Sequence, residues 1–294
     1  MPKKNPPVYN IDDFHNSDNN QDFYANTIPL HLKAHHFIFV PHKHDFYITV
    51  LFTKGSGWHE IDFSSYKIKP GSIFFLSPGQ IHNWELSADI DGFIFFHSRA
   101  FYELSFASKK INQFPFFASV YDSPVLYLET KQQQQIKSAF GNLLREHKEQ
   151  AWMKQSMLSS LCDVLYVTLA RLYFSDKKQN VQERNYLAKL HSFENLVDQN
   201  FKTLKYPKDY AALMNMSEKH LNRICKICLN KTTTDVISDR IILEAKRLLA
   251  LLKFSVSQIA EELGYRDYAY FSRFFKKRCS ETPIEFMKRY IKTA

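Results

Sequence analysis

Residues 266–278, RDYAYFSRFFKKR, interleave aromatic side chains with basic ones, a combination that suits contacts to phosphates and base edges when a helix carries it. On a 3.6-residue period Phe271, Phe274, Phe275 and Arg278 share one stripe, and Ala269, Ser272, Arg273 and Lys276 share the opposite one. One stripe is a core face; the other is small, polar and cationic. Cys225 and Cys228 have the C-x-x-C spacing of zinc and redox sites, but they lie inside a helical pattern and lack a second ligand pair, so they read as packing. With Cys162 and Cys279 they are too few and too irregular for a disulfide framework.

The elements that must position the basic stretch follow from local signals. Asp267 is placed as an N-cap, and Gly264 suits the left-handed turn that ends a preceding helix, so the segment reads as the second helix of a helix-turn-helix. The pattern occurs twice. SEKHLNRICKICLN (217–230) matches DYAYFSRFFKKRCS (267–280), pairing Leu221 with Phe271, Arg223 with Arg273, Cys225 with Phe275 and Lys226 with Lys276. Upstream, YAALMN (210–215) matches IAEELG (259–264) with a spacing one residue shorter, so the second copy has an extra residue in its turn. Asn215 then stands where Gly264 stands, and Asn is the other residue that tolerates the left-handed region.

Charge follows the repeat. Residues 186–294 hold 20 Lys and Arg against 12 Asp and Glu, whereas 1–185 hold 19 against 18, so nearly all of the net +9 sits on the repeated part. A basic surface alone would also suit RNA or a membrane; paired helices favour duplex DNA. No run of eighteen uncharged apolar residues is present, and the N-terminus lacks a signal-peptide core, so a cytoplasmic protein without membrane contact is expected.

Composition divides the chain into a loosely ordered arm (1–30), a β-rich segment (31–128), a helical segment (129–175), a polar linker (176–185) and an all-helical region (186–294). The β-rich segment has short aromatic and β-branched runs, DFYITVLF, WHEIDF, SIFFLS and GFIFFHS, and five of the seven glycines, which means a sandwich or barrel. In the helix expected at 152–174, Met157, Leu161, Val164, Leu165, Thr168 and Leu172 form the apolar stripe assigned to self-association.

The C-terminal motifs AALMNMSEKHLNRICK, RIILEAKRLLALLKFSVSQIAEELGYRDYAYFSRFFKKR and TPIEFMKRY resemble the AraC/XylS class of bacterial transcription regulators over about 105 residues. The family usually has Gly at Asn230 and Ser280 and Arg at Met287, which suggests a strained or differently closed end to the last recognition helix. PHKHDFYITVLFTKGSGWHEIDFSSYKIKPGSIFFLSPGQIHNW resembles the cupin-like effector domain of many such regulators. Together these imply an α+β chain: a cupin-like β-barrel, a helical dimerisation segment, and an all-α domain of two helix-turn-helix units.

The resemblance implies Lys219, Asn222, Arg223 and Lys226 on the first recognition helix, and Tyr268, Ala269, Ser272, Arg273 and Lys276 on the second, as DNA contacts. Arg223 and Arg273 are the guanine readers, Asn222 an adenine reader, and Lys226 and Lys276 phosphate contacts. Cupin enzymes hold a metal with H-x-H, a Glu three or four residues on, and a later His. Here His42, His44 and His82 are present, but Ile48 and Thr49 occupy the Glu positions. With Ile48, Trp58, Glu60 and Trp84 they are therefore assigned to an effector pocket, with no metal and no cofactor. The implied protein is a regulator, an activator, that answers to a small-molecule effector, dimerises through 152–174, and has RNA polymerase as a further candidate partner. A metal-dependent cupin enzyme fused to a DNA-binding module, and a constitutive regulator without ligand, are the alternatives.

Overall fold

The computed structural model describes residues 7–14, 22–35, 40–106, 109–119, 121–173 and 181–293, and the chain forms two compact units divided at 177/178. In the N-terminal unit one sheet has the order β10 (Val125–Tyr127), β7 (Ser72–Leu76), β4 (Tyr47–Lys54), β9 (Asp91–His97), β2 (Phe23–Thr27). A second has the order β6 (Ser64–Ile68), β5 (Gly57–Ile61), β8 (His82–Leu86), and β1 (Val8–Tyr9) runs parallel to β3 (Lys43–His44). Residues Tyr47–Phe52 are buried throughout because both faces of β4 are covered. Ile48, Val50 and Phe52 join Ile61, Ile68 and Trp84 of the second sheet in one apolar cluster. Tyr47 and Leu51 point the other way, into a cluster with the helices.

Those helices are α4 (Thr130–Lys148) and α5 (Lys154–Tyr173), which pack on each other, with α2 (Arg99–Ser105) and α3 (Pro115–Ala118) alongside α5; α1 (Ile28–Ala34) instead lies on β2 and β9. The buried face of α5 is Leu158, Cys162, Leu165, Tyr166 and Leu169. It is fixed by polar contacts as well: the Tyr166 hydroxyl lies 2.8 Å from His97 Nε2 and 3.3 Å from Thr49 Oγ1.

Two expectations need correction. Residues 8–14 and 22–30 are not a loose arm: β2 pairs along its length with β9, and Ile11, Phe14, Phe23 and Tyr24 are buried. The Pro and Asn clusters of the first thirty residues obscured FYANT, a strand whose apolar side chains complete both clusters. The rest of that segment, 1–6 and 15–21, and positions 176–180 of the expected linker lie outside the described residues, whereas 181–185 are already helical.

The C-terminal unit is helical. α6 (Val181–Asn200) packs on α7 (Pro207–Leu213), α8 (Glu218–Leu229) and α9 (Thr233–Ala250); α10 (Val256–Glu262), α11 (Tyr268–Cys279) and α12 (Pro283–Thr293) follow. Helix α9 touches α7 and α8 on one side and α10 and α12 on the other, so its buried row, including Val236, Ile237, Ile241, Ala245 and Leu249, serves both helix-turn-helix units.

The two turns are built alike. Asn215 N–H donates to Ala212 O and Met216 N–H to Ala211 O, each at 3.0 Å; Gly264 N–H donates to Glu261 O and Tyr265 N–H to Ala260 O, each at 2.8 Å. This is the Schellman closure, with φ +51° at Asn215 and +78° at Gly264. Only the second requires glycine, because a Cβ at Gly264 would stand 1.9 Å from the Lys202 carbonyl oxygen. The recognition helices also end alike. Asn230 and Ser280 both adopt the left-handed conformation and donate to Lys226 O and Lys276 O, so Ser280 closes its helix as Asn230 does.

Candidate functional site

Ser217 caps α8 through the His220 N–H, and Asp267 caps α11 through the N–H groups of Ala269 and Tyr270. Leu221, Ile224 and Cys225 bury one face of α8; Phe271 and Phe275 bury the matching face of α11. The opposite faces present Lys219, Arg223 and Lys226, and Tyr268, Ala269, Arg273 and Lys276, all exposed. No acid among the described residues forms an ion pair with Arg223, Arg273, Lys219, Lys226 or Lys276.

Other cations in the same unit are engaged. Arg278 pairs with Asp235 at 2.8 Å, Lys231 with Asp239 at 2.6 Å, and Arg240 with Asp198 and Glu244. Lys205 donates to the carbonyls of Phe201 and Leu263 and lies over the Tyr265 ring, and burial pulls its pKa down to about 8. Several cations that hold the fold together are thus tied to acids or carbonyls, while those of the recognition faces are exposed.

Some assigned roles differ. Asn222 Oδ1 accepts the Thr233 N–H at 3.1 Å, so the side chain holds the start of α9 rather than offering its acceptor to adenine. The Ser272 hydroxyl is buried without a hydrogen-bond partner. Arg278, expected on the core stripe, reaches Asp235 instead. Cys225 is buried, and burial raises its thiol to about 11, which disfavours the thiolate that zinc or redox chemistry needs.

In the N-terminal unit the structure brings His42, His44 and His82 together, with ring nitrogens all within 4.8 Å of one another. A fourth histidine, His59 of β5, joins them. His82 Nε2 lies 2.8 Å from His44 Nε2, and His82 Nδ1 lies 3.0 Å from His59 Nε2. His42 Nδ1–H donates to Val40 O at 2.9 Å. Beside them His31 and His35 meet the Tyr24 hydroxyl at 3.0 and 3.5 Å. Burial pushes His42 down to about 4 and His31 to about 3, and His44, His59 and His82 well below the ordinary range, so the cluster is neutral near pH 7.

Ile48 and Trp84 face this interior, Trp84 with its ring 5.4 Å from both His59 and His82. Trp58 and Glu60 do not: β5 has the opposite parity, with Trp58 51% exposed and His59 and Ile61 turned inward. The signal was present in HNWEL, where polar Asn83 and Glu85 mark the outer face, because His59 pairs with Trp84 and Ile61 with His82 across the strands. A separate open cavity of about 460 Å³ is lined by Lys109, Phe114, Asp163, Val167 and Arg171.

Along α5 the assigned stripe splits. Leu165 is buried against the sheet, whereas Met157 and Val164 are exposed, flanked by exposed Trp152 and Met153 in the preceding turn.

Comparison with known proteins agrees with this anatomy. The AraC-like ligand binding domain family matches residues 25–162, and a helix-turn-helix domain family matches 210–289. The HTH-type transcriptional activator RhaR of Mannheimia succiniciproducens is 24% identical over 276 residues, covering 92% of this chain and 95% of the relative. The HTH-type transcriptional regulator YfiF of Bacillus subtilis is 24% identical over 267 residues, covering 87% and 81%. Among solved structures, ToxT from Vibrio cholerae aligns over 90% of this chain and 98% of its own, at 15% identity and a TM-score of 0.45.

Proposed function

We propose that this chain, a member of the AraC family of helix-turn-helix transcription regulators with an AraC-like ligand-binding domain, is a cytoplasmic activator that pairs two copies on an operator in response to an effector held among its barrel histidines. Membership in a regulator family sets aside the alternative of a cupin enzyme. The observation that carries the reading is the pair of exposed cationic faces on α8 and α11, at matching positions of a structural repeat, where no acid among the described residues pairs with Arg223, Lys226, Arg273 or Lys276. Two such helices on one chain suit two successive major-groove segments about 34 Å apart.

Activation is supported by the relatives named as activators, and RNA polymerase is the partner an activator requires. Dimerisation is supported by the outer row of α5, Met157, Leu161, Val164 and Thr168, which the N-terminal unit leaves uncovered at Met157 and Val164. No helix among the described residues is long and apolar enough to cross a membrane.

The test is operator selection from a random DNA pool with the full chain, followed by fluorescence anisotropy across a salt series. Binding should weaken linearly in log salt, with a slope of about −0.9 per phosphate contact, and a reporter placed behind the selected operator should be switched on. Salt-insensitive or undetectable binding would overturn the reading.

A further inference from the structure

We propose that His42, His44 and His82, backed by His59, form a site for one divalent first-row transition-metal ion, and that this ion is the effector. The inference names the chemistry of the effector and rests on the reading of the N-terminal unit as the sensor.

The donor set is the first argument. Three ring nitrogens from separate points of the chain converge within 4.8 Å, and no carboxylate belongs to the group. Neutral imidazoles select zinc, cobalt, nickel or copper over magnesium or calcium, which demand oxygen ligands. The missing Glu argues against a permanently held catalytic metal. An all-neutral set leaves the ion's charge uncompensated in a buried place, which favours an exchangeable ion over a resident one.

Orientation is the second. Because Val40 O can only accept, His42 Nδ1 carries the proton and Nε2 keeps its lone pair. His82 faces His59 with Nδ1 and the other imidazoles with Nε2. A hydrogen bond from His82 Nδ1–H to His59 therefore turns the Nε2 lone pair toward the site, as the partners of metal-ligating histidines do. His59 is a positioning residue, not a ligand. A bound ion sits about 2.0–2.1 Å from each nitrogen, so the 2.8 Å separation of His44 and His82 must open by roughly half an ångström, a movement within the range of two side-chain rotations.

The third argument is polar frustration. His59 Nδ1 and Trp84 Nε1 are buried without hydrogen-bond partners, and both border this cluster. Native interiors rarely leave such atoms unmatched unless the site receives a polar guest.

Cobalt(II) titration of the chelator-stripped full chain tests the site. We expect one equivalent bound, with visible d–d absorption and no thiolate charge-transfer band, which excludes Cys225 and Cys228. His42→Ala and His82→Ala should abolish this uptake. His59→Leu should weaken it about 10–100-fold, and His59→Gln, whose amide oxygen accepts the same proton, should recover part of the loss. If His82→Ala fails to fold by circular dichroism, the His59 pair and the wild-type stoichiometry decide. Anisotropy on the selected operator should shift about 5–150-fold with cobalt. No saturable uptake by the wild-type chain overturns the metal site and leaves the sensor reading standing. Uptake that survives His42→Ala and His82→Ala also overturns it. Uptake with unmoved operator affinity overturns the ion's role as effector.

Discussion

In the N-terminal unit six histidines, His31, His35, His42, His44, His59 and His82, crowd one buried region and are held neutral by desolvation; in the C-terminal unit Arg223, Lys226, Arg273 and Lys276 stand in solvent, without an acidic partner among the described residues. The first region suppresses charge to build an interior that can receive a guest. The second concentrates exposed positive charge on matching faces of two helices. Each site's character has a different origin. In the barrel it lies in which face of a strand a residue occupies, and on the recognition helices it lies in what surrounds an exposed side chain.

The largest expected effect comes from adjacent residues of α5. Leu165 is 1% exposed inside the cluster beneath the sheet, and Val164, beside it, is 64% exposed. Leu165→Asp buries a carboxyl group without a partner and should cost several kcal/mol, melting the N-terminal unit at ordinary temperature. Val164→Asp should leave the melting temperature within a degree or two and instead split the proposed dimer. Thermal melts with sedimentation on both variants decide. A folded Leu165→Asp chain, or a Val164→Asp chain that stays dimeric, would remove the outer row of α5 from the account.

That pair also shows what the sequence could and could not convey. Periodicity located the helix at 152–174, but a stripe of Met157, Leu161, Val164, Leu165, Thr168 and Leu172 spans both of its faces, since apolar residues line the sheet side and the outer side alike. The helix-turn-helix repeat was legible down to the extra residue in its second turn, because caps, left-handed positions and core rows are local and each leaves its own residue signature. β5 was not legible: GWHEI offers a large aromatic and an acid on one face and a histidine on the other, and only cross-strand pairing with His82 and Trp84 fixes its parity. The contact that Asn222 makes within the fold was hidden for a related reason. Helical spacing puts it near the reading face, and its contact with Thr233 is tertiary.

Acid provides the second test. His31, packed by Phe14, Tyr24 and His35, is lowered to about 3 chiefly by burial; His97, facing Tyr166, is lowered to about 4, also chiefly by burial, with its hydrogen bond to the Ser98 carbonyl and then Asp22 acting the other way. Both folded values lie below the unfolded value near 6.5. Their contribution to stability is therefore complete above pH 6.5 and is lost as pH falls from there toward 4, when the unfolded chain takes up protons that the folded one refuses. Between pH 7.5 and 5.5 each should cost about 1.4 kcal/mol, roughly 3 kcal/mol together. The C-terminal unit has only His191 and His220 as histidines and should change less. Melts of chelator-treated protein at the two pH values, followed by tyrosine and tryptophan signals from the N-terminal unit, check this. Equal losses in the two units would mean that the barrel histidines are not the groups that titrate.

The smallest expected effects separate reading from holding on α11. Arg273 and Lys276 are both exposed, on the face opposite Phe271 and Phe275, and neither has an acid to satisfy. They differ in what they can offer: Arg presents a planar fork that matches the two acceptors of guanine, and Lys presents one mobile point charge. Arg273 lies one turn after Ala269, whose small side chain would let the helix approach a groove floor, and Lys276 lies about a turn further on, where the proposed docking would bring it to the phosphates. Arg273→Ala should therefore cost about 1–3 kcal/mol on the selected operator and relax preference at one or two base pairs, with unrelated DNA nearly unaffected. Lys276→Ala should weaken both DNAs alike and reduce the slope of log affinity against log salt by about one. Anisotropy on operator and unrelated duplexes across a salt series measures both quantities in one experiment. Should Arg273→Ala weaken the two DNAs equally, Arg273 clamps phosphate, and the reading edge of α11 must be sought nearer its N-terminus, at exposed Tyr268 and Ala269, where the helix would enter the groove end-on.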